Sequence, residues 1–199
     1  MKLEKEAVKK RKELSEIVKS TITTPVSNPE ELSERIIDYF CDITPPEIDT
    51  SIQLITMQPG GSEGGRSSKP GNIWLDWKKL LTVGAESILT IVGAVSVPWL
   101  IPLAGLVVWN KVWSLLDIEI DERHAVVIWA MWNNRDEEDC IEDDKILDLV
   151  NEELHRYNRF MMNKKELNNI LKDLGEMECI EKTDKNEWWL REWVKATYE

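Results

Sequence analysis

Between Glu86 and Lys111 the chain runs for 24 residues, SILTIVGAVSVPWLIPLAGLVVWN, without a charged side chain. A run this apolar has two homes: the hydrocarbon core of a bilayer, or a protein interior with enough other elements to cover it. Pro98 and Pro102 sit in its middle. Each removes a helix hydrogen bond, so one straight helix across the run is excluded. The spacing predicts two helices, over about 74–96 and 99–116. Residues 97–98 form the turn, and Pro102 falls in the first turn of the second helix, where it is tolerated.

The charge-poor parts of the two helices, 80–97 and 99–116, are 18 residues each. At ~1.5 Å per residue each reaches about 27 Å, enough to cross a bilayer core. Trp74, Trp77, Trp109 and Trp113 would then lie at one interface and Trp99 at the other, as an aromatic belt. Lys78, Lys79 and Lys111 would share the cytoplasmic side. Gly84, Gly93, Ala94, Ala104 and Gly105 would let the helices approach closely. A hairpin also keeps both ends of the chain in one compartment. The alternative is a dissolved hairpin forming the centre of the protein or a subunit contact. Glu86 inside the first span and the early arrival of Asn110 and Lys111 favour that alternative.

The net charge of −12 is unevenly spread. Residues 1–115 hold 13 basic and 14 acidic side chains, whereas 116–199 hold 12 and 23. An acidic half is repelled by phosphate backbones and anionic headgroups, and suits a basic protein partner. Cys41, Cys140 and Cys179 are far apart and odd in number, which argues for a reducing compartment. His124 and His155 have no neighbouring ligand pattern, so no metal site is expected. The charged N-terminus, MKLEKEAVKKRKELSEI, lacks the apolar centre of a signal peptide.

Residues 2–20 predict a helix with a thin apolar stripe and a basic cluster at Lys9, Lys10, Arg11 and Lys12. A second helix is expected over 29–42, with Asn28 as N-cap, Pro29 at the first position, Glu31 completing a capping box, and Leu32, Ile36, Tyr39 and Phe40 facing inward. Residues 51–58 alternate as a strand. Five of the nine glycines then fall within 59–71, a linker or loop. There, Gly60–Ser67 approaches a phosphate-binding loop, but Arg66 replaces the lysine, Glu63 repels phosphate, and Pro70-Gly71 blocks the following helix.

The C-terminal part reads as a strand at 117–120, then three helices. The first is capped by Asp121 with Ala125, Ile128, Trp129 and Trp132 on one face. The second covers about 143–158 with Ile146, Leu149, Val150 and Tyr157 inward. The third opens at the Asn163–Glu166 capping box and buries Leu167, Ile170, Leu171 and Leu174, ending at Gly175. Two strands about a turn at 184–186 follow, with Trp188, Trp189 and Trp193 alternating on the last. This order over 117–199 resembles a winged helix-turn-helix domain. The resemblance implies two possible recognition modes. Many such domains lay the third helix in the DNA major groove, where Lys164, Lys165, Asn168, Asn169 and Lys172 would face the duplex. The acidic balance opposes DNA and favours protein recognition, with Trp189 as an exposed contact. The acidic stretch 136–144 fits no calcium loop, which needs a central glycine.

The expected fold class is therefore mainly α within an α+β chain: N-terminal helices plus a strand (1–58), a linker (59–72), an apolar hairpin (73–116) and a winged helix (117–199). No nucleophile–base pair, metal cluster or cofactor fingerprint is found. The expected function is a non-enzymatic adaptor or effector at the cytoplasmic face of a membrane that recognises a protein partner, with no cofactor and no small-molecule substrate. The alternative is a cytoplasmic, DNA-binding transcriptional regulator.

Overall fold

The computed structural model describes residues 2–21, 28–48, 68–82, 97–113 and 118–198. It is a mixed α+β chain with seven helices and eight strands among those residues. The strand expected at 51–58, the glycine-rich loop up to residue 67, and residues 83–96 of the apolar run, Glu86 included, lie outside them.

The first helix, α1 (Lys2–Thr21), buries Leu14 and Val18 against α2 (Pro29–Phe40). The cap of α2 forms as the sequence implies: the Glu31 N–H donates to Asn28 Oδ1 at 3.2 Å, and Asn28 Nδ2 donates to Glu31 at 3.2 Å. Leu32, Ile36, Ile37 and Phe40 face inward, while Tyr39 is exposed. The helix stops at Phe40, short of the expected 42, because Cys41 already has extended backbone and opens β1 (Cys41–Thr44).

Three strands, β1, β4 (Gly71–Asp76) and β8 (Trp193–Tyr198), make one antiparallel sheet in that order. A two-stranded pair, β2 (Glu47–Ile48) with β3 (Ser68–Lys69), lies between β1 and β4 in the chain. Here two expectations are corrected. Residues 71–76 are a strand, so 74–76 do not start the first apolar helix and 71–72 are not linker. Gly71, Ile73 and Leu75 are buried while Asn72, Trp74 and Asp76 are half-buried, a period of two that a helix cannot satisfy. Asp76 then stops the strand by accepting the Lys79 N–H at 2.9 Å, which starts α3 (Trp77–Thr82). Second, the last strand leaves the C-terminal unit to pair with β4, Gly71 facing Tyr198 and Asp76 facing Trp193. The hairpin and the terminal unit are thus not separate segments.

That crossing is close at Gly71. A side-chain carbon there would lie 2.6 Å from the Tyr198 ring and 2.7 Å from the Thr44 carbonyl. The ring lies over the glycine, and its hydroxyl donates to Thr44 O at 3.0 Å.

The second apolar helix, α4 (Leu100–Trp113), touches α1, α3, β4 and α5 (Glu122–Asn133). It buries Leu100, Ile101, Ala104, Leu106, Val108 and Trp109, and half-buries Leu103 and Val107. Gly105 allows the approach of α3: a carbon in its place would come 2.5 Å from Leu80 Cδ2. No helix among the described residues is long and apolar enough to cross a membrane.

Beyond α4, residues 118–120 form no strand, although Ile118 and Ile120 pack on the core. The strand comes later, as β5 (Cys140–Glu142) between α5 and α6 (Ile146–Arg156). After α7 (Lys164–Glu176) come β6 (Ile180–Lys182) and β7 (Glu187–Leu190), turning at Asn186 with φ 63°. The second three-stranded sheet has the order β5-β7-β6, all antiparallel. Strand pairing is interrupted at Arg191 and Glu192, so Trp188 and Trp189 belong to β7 while Trp193 belongs to β8.

Candidate recognition surface

Three of the tryptophans expected at a membrane interface are core residues instead. Trp77, Trp99 and Trp109 are each no more than 1% exposed. The Trp109 N–H donates to Met177 O at 2.7 Å, fastening α4 to the end of α7. The Trp99 N–H donates to Glu122 at 2.9 Å, and its ring meets Tyr157 edge-on at 4.9 Å. Trp77 packs beneath Gly105, its N–H without an acceptor among the described residues. Trp74, on β4, is half-buried against Trp193. The Trp113 side chain lies outside the described residues.

The α7 helix has the face the sequence implies. Asn163 caps it by accepting the Glu166 N–H at 3.0 Å, and Leu167, Ile170, Leu171 and Leu174 are buried. Lys164, Lys165, Asn168, Asn169 and Lys172 therefore face solvent. Much of that positive charge is matched locally. Asp143 faces Lys164 at 3.8 Å and Lys182 of β6 at 3.5 Å, and it accepts the Trp188 N–H at 2.6 Å. Burial opposes its charge, but the indole hydrogen bond and the two ammonium groups outweigh that, so its carboxyl is held below the usual range. Lys172 lies 3.3 Å from Glu176.

Between α6 and α7 the chain is pinned. Met162 is buried, its N–H donating to Asn151 Oδ1 at 2.6 Å while Asn151 Nδ2 donates to Met162 O at 3.0 Å. The Arg159 N–H donates to Leu154 O at 2.8 Å. On this fixed loop Phe160 is 87% exposed and Met161 59%. They are the feature that sequence reasoning missed. The available signal was an apolar run, Phe160-Met161-Met162, ahead of the Asn163 cap in a connection between helices, where polar residues are usual. Trp189 is 37% exposed, with Arg191 5.8 Å above its ring.

His124 was also missed. It is buried between α5 and α7, Nδ1 at 2.7 Å from Asp121 and Nε2 at 3.3 Å from Asp173. Burial works against its charge, yet the two carboxylates prevail and raise its pKa above 6.5. The acidic stretch is held by its own backbone. Asp136 accepts the N–H groups of Glu138 and Cys140 at 2.9 Å each, and Asp139 takes Arg135 at 2.6 Å. Burial pushes the Cys41 thiol up to about 12 and raises that of Cys179, so both stay protonated near neutrality. Among the described residues no group of three or more His, Cys, Asp or Glu could hold a metal ion.

No family model, no curated protein and no solved structure matches this chain.

Proposed function

We propose that residues 118–190 form a winged helix, and that the protein is a non-enzymatic adaptor recognising another protein through this unit. The order α5, β5, α6, α7, β6, β7, with all three strands in one sheet, supports the fold reading. Phe160 carries the functional one: a phenyl ring 87% exposed on a loop pinned at both sides. Covering such a ring on a partner is worth about 1.5–3 kcal/mol, and Met161 adds an adaptable neighbour. Aromatic anchors of this kind dominate interfaces. The acidic excess of residues 116–199, 23 acidic against 12 basic side chains, repels phosphate, and Asp143 engages Lys164, one of the lysines a duplex would need, together with Lys182. In this reading α4 is an internal strut, and recognition does not require attachment to a membrane.

The test is a Phe160→Ser, Met161→Ser double variant. It is expected to keep the wild-type melting temperature and to lose a crosslink that a photoreactive residue at position 165 forms with the partner. A crosslink that persists at wild-type yield overturns the reading.

The exposed Lys165, Asn168, Asn169 and Lys172 favour a second reading, duplex DNA in contact with α7. Anisotropy of a labelled duplex at low salt separates the two. Saturable binding that weakens steeply with salt, and disappears on Lys164→Glu, Lys165→Glu, would replace the protein-recognition reading.

A further inference from the structure

The outer face of the β1-β4-β8 sheet holds an open recess of about 630 Å³, at the end of α2. Strand register places Asp42 opposite Trp74 and Asp76 opposite Trp193. The two indole rings lie 4.9 Å apart, inclined at 54°, and Tyr39, exposed at the end of α2, lines the recess beside them.

Four other indole faces in this protein carry cations, that of Trp74 within the recess among them. Arg135 lies 3.6 Å over Trp132, Lys195 4.7 Å over Trp74, Lys182 5.4 Å over Trp188, and Arg191 5.8 Å over Trp189. Trp193 is 53% exposed and has no such cation among the described residues. The carboxylates follow a similar pattern. Asp38 takes Arg11, and Asp76 takes Lys79 at 3.4 Å while capping α3. Asp42 is exposed and has no cationic partner among the described residues. An indole face without a cation and an unmatched carboxylate therefore line the same recess, whose other charged side chains, Arg11 with Asp38 and Lys79 with Asp76, are already paired.

We propose that this recess receives an arginine side chain from a basic segment of a partner protein, the guanidinium stacking on Trp193 with its N–H fork toward Asp42. A planar guanidinium suits both neighbours: it stacks on an indole and bonds a carboxylate in two places, which an ammonium cannot do together. The long-range field of an acidic protein speeds the approach of a basic partner. The residues are distinct from those of the α6–α7 loop, and the proposal stands without the winged-helix reading.

The experiment titrates the full chain with the peptide acetyl-Ala-Arg-Ala-Arg-Ala-amide, followed by indole N–H shifts in NMR. Its citrulline counterpart, equal in shape but uncharged, is the comparison. The arginine peptide is expected to saturate and to shift the Trp193 signal, and the citrulline peptide is not. Trp193→Ala and Asp42→Asn should each weaken binding about fivefold or more. Asp42 is exposed, so its isosteric variant keeps the fold even if loss of the Trp193 ring loosens the sheet. Asp136→Asn with Glu137→Gln removes equal or greater charge elsewhere and should leave the affinity unchanged, as should the Phe160, Met161 double variant. The proposal is overturned if the arginine peptide does not saturate, if Asp42→Asn binds like wild type, or if the Asp136, Glu137 variant loses as much affinity as Asp42→Asn.

Discussion

Trp109→Phe tests whether the apolar α4 helix is held by protein or waits for lipid. The indole is 1% exposed and its N–H donates to Met177 O at 2.7 Å in the core. Without that donor, the described contact left to the carbonyl is the Cys179 thiol at 3.8 Å, a weak one. Stranding a buried acceptor costs about 1–3 kcal/mol. Shrinking the ring in a close-packed site adds roughly 1 kcal/mol. Together these predict a loss of about 2–4 kcal/mol, or a melting temperature lower by roughly 5–15 °C for a chain of this size. Urea unfolding in plain aqueous buffer, followed by circular dichroism, measures it as a lower midpoint at constant slope. Trp193→Phe, at an exposed ring, is the internal control and should stay within about 0.5 kcal/mol. If Trp109→Phe unfolds at the wild-type midpoint without detergent, α4 is not the strut described above and the reasoning from its burial fails.

Gly71→Ala should lower stability by about 1–3 kcal/mol, because the new methyl meets a backbone carbonyl that cannot move aside; thermal melts check this, and a neutral result would mean the Thr44 carbonyl does not lie that close to Gly71. His124 predicts a pH dependence of definite sign. Its folded pKa is raised above the unfolded value of about 6.5, so its contribution is complete below that value and is lost as pH rises through the folded pKa. The same contact lowers the Asp121 pKa, chiefly through the His124 hydrogen bond, so at the acid end it is lost as pH falls toward and below the ordinary aspartate value. Stability measured from pH 5 to 9 should therefore decline on the alkaline side, and His124→Gln should flatten that decline; an unchanged slope would refute the assignment. Asp143→Asn should loosen the β6–β7 hairpin, since Trp188, Lys164 and Lys182 all converge on that carboxylate, and faster amide exchange at residues 180–190 is the expected readout.

Elements whose signals are local were legible in the sequence. The Asn28 and Asn163 caps, the inward face of α7 and the turn at 184–186 are each decided within a few residues, by side chain-to-backbone bonds and helical spacing. What failed was what distant partners decide. Residues 71–76 follow a period of two, yet they abut an apolar run whose length suggested a helix; only β1 and β8, from elsewhere in the chain, make them a strand. The same cause misplaced the short strand near 117–120. Its true counterpart, β5, sits in an acidic stretch with little strand propensity and exists because β7 pairs with it. The tryptophans show the limit of composition: an indole beside apolar residues reads alike at a bilayer surface and in a core, and the acceptors that distinguish them, Met177 O and Glu122, are remote or in another helix. Of the recognition surface, Lys164, Lys165, Asn168, Asn169 and Lys172 followed from helical period alone, whereas the projection of Phe160 depends on how Asn151 clamps Met162.

The pairing of β8 with β4 has a bearing on synthesis. While the polypeptide emerges from the ribosome, residues 71–76 have β1 for company on one side, and their other flank stays unzipped until residues 193–198 appear, over a hundred positions later. The first sheet is thus finished last, and a nascent chain stalled before Trp193 would display a raw strand margin beside indole and isoleucine side chains, an invitation to clumping.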